Sequence, residues 1–239
     1  MVKRMDTPQF LMPDKWLSKL MNKNTFSMDI HIAMQQSVDT IEKLFPKSDT
    51  FIFCKVPTSN ISGSMFLEKL GFNIVDTNIQ MKKKSNVDKR VIENTRYALI
   101  KDRSRIVEIA KNSFIFSRFH LDPNIDNNIA NLIKEKWVDN YFNGERGNFL
   151  IVKEMHSIIV GFLLILQKKE DYIIDLIAVD SNYRKLGIAR DMIVYFESNL
   201  GSEKTLITGT QIANIQSLRL YQSLGFKVNR SDYIFHYHS

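Results

Sequence analysis

Cysteine is almost absent from this chain, and that shortage removes a class of protein. Cys54 is the only one, so an intramolecular disulfide is excluded and a reducing interior fits. It lies in the apolar run "FIFCKV" and reads as core. Long apolar runs are also missing. The longest, "SIIVGFLLILQ", is of strand length, far short of the ~20 residues a membrane span needs. The opening "MVKRMDTPQFLMPDKWLSKL" has no stretch of signal-peptide length. Cytoplasmic localisation without a membrane span is the expectation.

What is present is a core. Hydrophobic residues make up 44% and aromatics 11% of 239 residues, enough for one large domain or two small ones and too much for disorder. The net charge of +7 admits nucleic acid, a membrane surface or a small polyanion as partner. Its one concentration, Lys82, Lys83 and Lys84 with Lys89 and Arg90 behind, stands where a strand seems to end and reads as a solvated linker. No zinc-finger spacing and no RNP-type aromatic motif accompanies it, so a nucleic-acid partner is not expected.

The most informative feature is an internal echo. "SNISGSMFLEKLGFNIVDTNIQMKK" in the first half answers "ANIQSLRLYQSLGFKVNRSDYIFHYH" in the second. Asn60 precedes Gly71 by eleven residues, as Asn214 precedes Gly225, and both copies carry Leu-Gly-Phe. Each copy predicts a helix stopped by a C-cap glycine and followed by a strand. Periodicity predicts further helices at 16–21, 30–45, 106–114, 127–141 and 187–199. It predicts strands at 50–56, 72–81, 149–153, 158–167, 172–179, 205–210, 227–230 and 232–238. The class is α/β or α+β with a mixed sheet. The polar stretch 82–94 suggests a division into residues 1–90, a connecting segment 91–104, and residues 105–239.

One turn carries chemistry. In "YRKLGIARDM" (183–192), Arg184, Lys185, Leu186, Gly187, Ile188 and Ala189 fit Arg/Gln-x-x-Gly-x-Gly/Ala between a strand and a helix. N–H groups there have no intrahelical partner and can point at a pyrophosphate, assisted by the helix dipole. Gly187 lets a ligand approach the backbone. An ordinary turn with a solvated basic face fits the same residues.

The stretches "IIDLIAVDSNYRKLGIARDMI" and "ANIQSLRLYQSLGF", at this separation, resemble the GNAT family of acetyl-CoA-dependent N-acetyltransferases over residues 105–239. The resemblance implies a GNAT-like mixed, strongly twisted sheet flanked by helices, with residues 1–90 as a degenerate, truncated copy. It implies that the backbone of Ile177, Ala178 and Val179 receives the pantetheine arm of acetyl-CoA and that Lys185 to Arg190, with Arg184, cradle its pyrophosphate. It further implies that Asn214 contacts the cofactor and that Tyr221 protonates the departing thiolate. No metal is implied. Chemistry is compatible: a phenol of pKa ~10 stays protonated at neutral pH and can serve a thiolate of pKa ~8.5. The first copy has Leu67 in place of Tyr221 and no phosphate loop before it, which leaves one active centre.

A narrower resemblance concerns the acceptor. "FSRFHLDPNI" (116–125), followed by a helix with Trp137, is similar to a segment of dTDP-4-amino-4,6-dideoxygalactose N-acetyltransferases. It implies a nucleotide-linked amino sugar and a place in cell-surface polysaccharide biosynthesis. Arg118 and His120 would meet the diphosphate and Phe119 would stack on the base; a plain polar loop fits those residues equally. "KTLITGTQIAN" contains no acidic residue, so the general base is unassigned, with Asp175 and His120 as candidates. The rival readings are acetylation of a protein N-terminus or small amine, and a CoA-binding sensor without turnover. A homodimer is left open.

Overall fold

The computed structural model describes residues 8–46, 48–86, 91–200 and 203–239; Lys89 and Arg90 of the basic cluster lie outside them. The first half runs β1 (Leu11–Pro13), α1 (Lys15–Met21), β2 (Asn24–Met28), α2 (Ile30–Ala33), α3 (Val38–Leu44), β3 (Thr50–Pro57), α4 (Ile61–Lys69) and β4 (Asn73–Lys84). The second runs β5 (Thr95–Tyr97), α5 (Arg103–Ser113), α6 (Arg118–Leu121), α7 (Asn127–Phe142), β6 (Phe149–Met155), β7 (Ile158–Lys168), β8 (Asp171–Val179), α8 (Ile188–Leu200), β9 (Thr205–Gln211), α9 (Ile215–Ser223) and β10 (Lys227–His238). The ten strands of the described residues form one mixed sheet in the order β1-β2-β3-β10-β4-β9-β8-β7-β6-β5.

The echo is a pair of identically capped helices. Asn60 accepts from Gly63 N–H at 2.9 Å, and Asn214 from Ser217 N–H at 3.1 Å. At the other end Gly71 and Gly225 sit at φ 80° and 86°, where a side chain is strained. Phe72 N–H donates to Leu67 carbonyl, and Phe226 N–H to Tyr221 carbonyl, both at 3.0 Å. That six-to-one closure is a Schellman cap. The two units then exchange strands. β10 lies between β3 and β4, and β4 lies between β10 and β9, so the strands flanking α4 do not pair with each other, nor do those flanking α9. One sheet therefore contains strands from both halves of the chain.

Several expectations needed correction. The helix expected over 30–45 breaks in two, because Ser37 caps a new start by accepting from Thr40 N–H. The two strands expected after residue 227 are one, with a register shift between Val228 and Arg230. Lys83 is not solvated: its ammonium is buried against the Glu197 carboxylate at 2.7 Å and donates to Leu224 carbonyl at 2.9 Å. It thus ties β4 to α8 and to the end of α9.

Two helical layers cover the sheet. β7 is buried from Ile159 to Ile165, which explains its continuous apolar run. On one face α8 brings Ile188, Met192, Ile193 and Phe196 into the core at helical spacing, each worth about 1.5–3 kcal/mol of burial. On the other, α5 and α7 supply Ile106, Ile109 and Val138. A Cβ on Gly161 would stand 3.0 Å from Ile188 and 3.1 Å from Ala178 carbonyl. That glycine lets α8 seat closely on β7, and so fixes where the helix begins.

Candidate active site

The site begins where two parallel strands part. β8 pairs with β9 only from Asp171↔Thr205 to Ile174↔Thr208. A register shift in the β7–β8 ladder, between Leu164↔Leu176 and Ile165↔Ile174, leaves Asp175 as the extra residue there. A bulge bends its strand, and beyond Ile174 the edge of β8 that faced β9 has no strand partner among the described residues. A cleft of about 830 Å³ opens between them, walled by Ile177 on one side and Thr208 to Gln211 on the other. Asp76, Asn78 and Gln80 of β4 line it too, so the first half contributes to this site.

Past Val179 the chain makes the turn expected to hold phosphate. Lys185 and Gly187 both take left-handed backbone, φ 65° and 79°. Among the described residues, no N–H from Lys185 to Arg190 donates to a backbone oxygen. Free donors ahead of a thirteen-residue helix are the kind of arrangement that can receive an anion. Gly187 is demanded by its φ and not by crowding, since an added Cβ there meets nothing within 4 Å. The side chains divide the work differently from expectation. Arg184 donates to Val179 carbonyl at 3.2 Å and Ser113 carbonyl at 3.3 Å, anchoring the turn. Arg190 donates to Ser223 at 3.0 Å, which joins α8 to α9. Ile188 is core. Lys185, Leu186 and Gly187 stay exposed and Ala189 half-buried.

Tyr221 lies on α9 at the cleft, with its ring buried and its centroid 5.4 Å from that of Phe226. Burial raises its pKa, opposed by the Thr208 hydroxyl, so the phenol holds its proton at neutral pH. Asn214 also lines the cleft, but its carbonyl oxygen is committed to capping α9.

On the acceptor side the expectations fare unevenly. Arg118 lines the cleft. Phe119 belongs to the cleft lining but is 2% exposed, so its ring offers little face to a base and serves the core under α7. His120 stands outside the lining, with Ser117 at 2.6 Å on one ring nitrogen and Asn131 at 3.0 Å on the other, and burial lowers its pKa. Asp175 is held in a structural ion pair. It accepts from Trp137 at 2.7 Å, Tyr141 at 2.9 Å, and both Arg146 nitrogens at 2.7 and 2.9 Å, so it pins α7 to the bulge.

Sequence reasoning missed two cleft residues. Asp76 is 7% exposed. Burial pushes its carboxyl up to about 6, against the Thr77 N–H, Gln211, Lys55 and Arg118. Lys134, also 7% exposed, projects from α7. Neither belongs to a motif; the one available signal was a lone charge on an otherwise inward-facing position.

Comparison with known proteins places this geometry. Residues 122–237 match the acetyltransferase (GNAT) domain family. The chain is similar to the spore coat polysaccharide biosynthesis protein SpsD of Bacillus subtilis (strain 168), at 32% identity over 137 residues, 56% of this chain and 47% of that protein. It is similar to an N-acetylaspartate synthetase of Xenopus tropicalis, at 30% identity over 95 residues, 38% of this chain and 35% of that protein. It thus spans less than half the length of either relative. A GCN5-related N-acetyltransferase from Sphaerobacter thermophilus shares the fold, with TM-score 0.60 at 13% identity, over 95% of this chain and 75% of that one. The chain thus has the fold of GNAT acetyltransferases and, over residues 122–237, matches the GNAT acetyltransferase domain family.

Proposed function

We propose that this protein is an N-acetyltransferase that moves an acetyl group from acetyl-CoA to a primary amine, preferably the 4-amino group of a dTDP- or UDP-linked amino-deoxy sugar. The observation carrying this reading is the splay of β8 from β9, which leaves the β8 edge beyond Ile174 without a strand partner among the described residues and opens the cleft that Ile177 and Tyr221 line. The residues fit acetyl-CoA: the Lys185–Arg190 turn offers donors to a pyrophosphate, and the β8 edge offers ladder groups to an amide-bearing arm. The similarity to SpsD supports an acceptor drawn from polysaccharide synthesis.

Each residue then has a task. Backbone donors on the β8 edge polarise the thioester carbonyl as the amine attacks. The C–N bond forms and the C–S bond breaks, with Tyr221 giving its proton to the sulfur. Asp76 accepts the proton that the nitrogen sheds. The first half of the chain thus supplies the base that the second half lacks, and shapes the acceptor side.

Turnover of acetyl-CoA against a panel of nucleotide-linked amino sugars, amino acids and N-terminal peptides tests the reading. Binding of acetyl-CoA with no turnover would make the protein a sensor. For Asp76 the expectation is a pH limb. Its carboxyl, raised to about 6, loses basicity as pH falls through that value, so kcat/KM should drop on the acid side. Asp76→Asn should flatten this limb and lower kcat/KM by ~10-fold, less than a typical positioned base, because water can also take the proton. An unchanged pH profile in Asp76→Asn would remove the assignment.

A further inference from the structure

The cleft has a second pole, made of a half-buried arginine and a buried lysine with no ion-pair partner among the described residues. Arg118 begins α6, and its guanidinium carbon stands 3.9 Å from the ring centroid of Phe53 and 4.6 Å from that of Phe119. Its Nη1 is buried without a hydrogen-bond partner. Lys134 Nζ lies 5.1 Å from the ring centroid of Phe114 and 4.8 Å from that of Trp137. Both side chains line the same cleft. Neither forms an ion pair among the described residues.

The surroundings make this more than an accident of packing. The charged groups acting on Lys134 are Arg118, Asp175 and Arg146. Asp175 is already spent on Trp137, Tyr141 and Arg146. Arg118 feels Asp14 and Asp76, but neither comes within the 4 Å of an ion pair. Burial, with the Arg118 charge next, pushes Lys134 down to about 8. Two like charges held in a poorly solvated wall cost stability. An entering anion relieves both costs and gains charge-assisted bonds. The aromatic rings that hold the cations supply no counter-charge of their own, so the positive field is left for a ligand.

We propose that Arg118 and Lys134 form the acceptor's anion site and hold its phosphoryl groups. The inference rests on the acyl-transfer reading and deepens it by naming the acceptor's handle. Arginine offers a fork and lysine a point charge, the combination that suits phosphate oxygens. The diphosphate occupies this pole, and the amine extends toward Asp76 and Tyr221. Acetyl-CoA keeps its own phosphates at the Lys185–Arg190 turn, so the two polyanions bind together.

The test is calorimetric titration of the full chain with dTDP, inorganic pyrophosphate and L-aspartate, each with CoA at saturation. dTDP and pyrophosphate should bind. Lys134→Met should weaken dTDP at least ~10-fold and also raise the melting temperature, because it removes a buried unpaired charge; Lys134→Arg should keep dTDP binding. A merely structural lysine would lower the melting temperature and leave dTDP unaffected, which overturns the proposal. So does displacement of dTDP by CoA, which would assign the site to CoA's phosphates. Binding of L-aspartate in place of dTDP overturns the phosphoryl assignment in favour of a carboxylate. Failure of acetyl transfer with dTDP binding intact would refute the acyl-transfer reading and leave this site standing.

Discussion

Tyr221→Phe is expected to lower kcat by about 10²-fold while acetyl-CoA affinity and the melting temperature stay close to wild type. A positioned acid contributes roughly 10²–10⁴-fold. Thiolates leave readily without much help, so the low end applies, about 3 kcal/mol of barrier. The substitution is clean because the fold uses the residue's backbone and ring, not its hydroxyl. Its carbonyl closes the helix cap by accepting from Phe226 N–H at 3.0 Å, and its ring meets Phe226 edge-on. Leu67 makes the same closure and is fully buried at the matching place in the first unit, with no hydroxyl at all. Stopped assays of kcat beside calorimetry of acetyl-CoA decide the matter. Near-normal kcat would make Tyr221 a core residue. Lost acetyl-CoA affinity with intact kcat would make it a binding residue.

That comparison also marks what can be read from a sequence of this kind. The echo was legible because capping is local: Asn60 and Asn214 reach three residues ahead, and Gly71 and Gly225 take φ values that side chains resist. The strand-to-helix turn around Gly187 was legible for the same reason. The exchange of β4 and β10 was not, since which strand lies beside which is settled by contacts more than a hundred residues apart. β1 and β5 have three residues each, too few to show an alternation. β2 holds the polar residues Asn24, Thr25 and Ser27 and gave no apolar signal. Gly161 looked like one small residue in an apolar run, and only the seat of α8 against it explains it. Asp76 and Lys134 hid differently. A lone charge usually marks a solvated face, and these two are buried because a cleft formed from both halves runs past them.

Gly187→Glu is expected to weaken acetyl-CoA binding by at least about 10²-fold in a protein that still folds. Two effects coincide. At φ 79° any side chain strains the backbone by roughly 1–2 kcal/mol, which favours rearranging the turn and scattering its N–H donors. The new carboxylate also stands at the start of α8, where it can take those donors for itself and repel the pyrophosphate. No atom lies within 4 Å of the added Cβ, so the core is undisturbed. The charge also favours the helix N-terminus by ~0.3–1 kcal/mol, which offsets part of the strain. Gly187→Ala separates the two effects: it carries the strain without the charge and should lose only about tenfold. Calorimetry of acetyl-CoA on both variants, with melting curves to confirm folding, gives the order wild type, alanine, glutamate. If glutamate binds as well as wild type, the pyrophosphate lies elsewhere and the turn is only a turn.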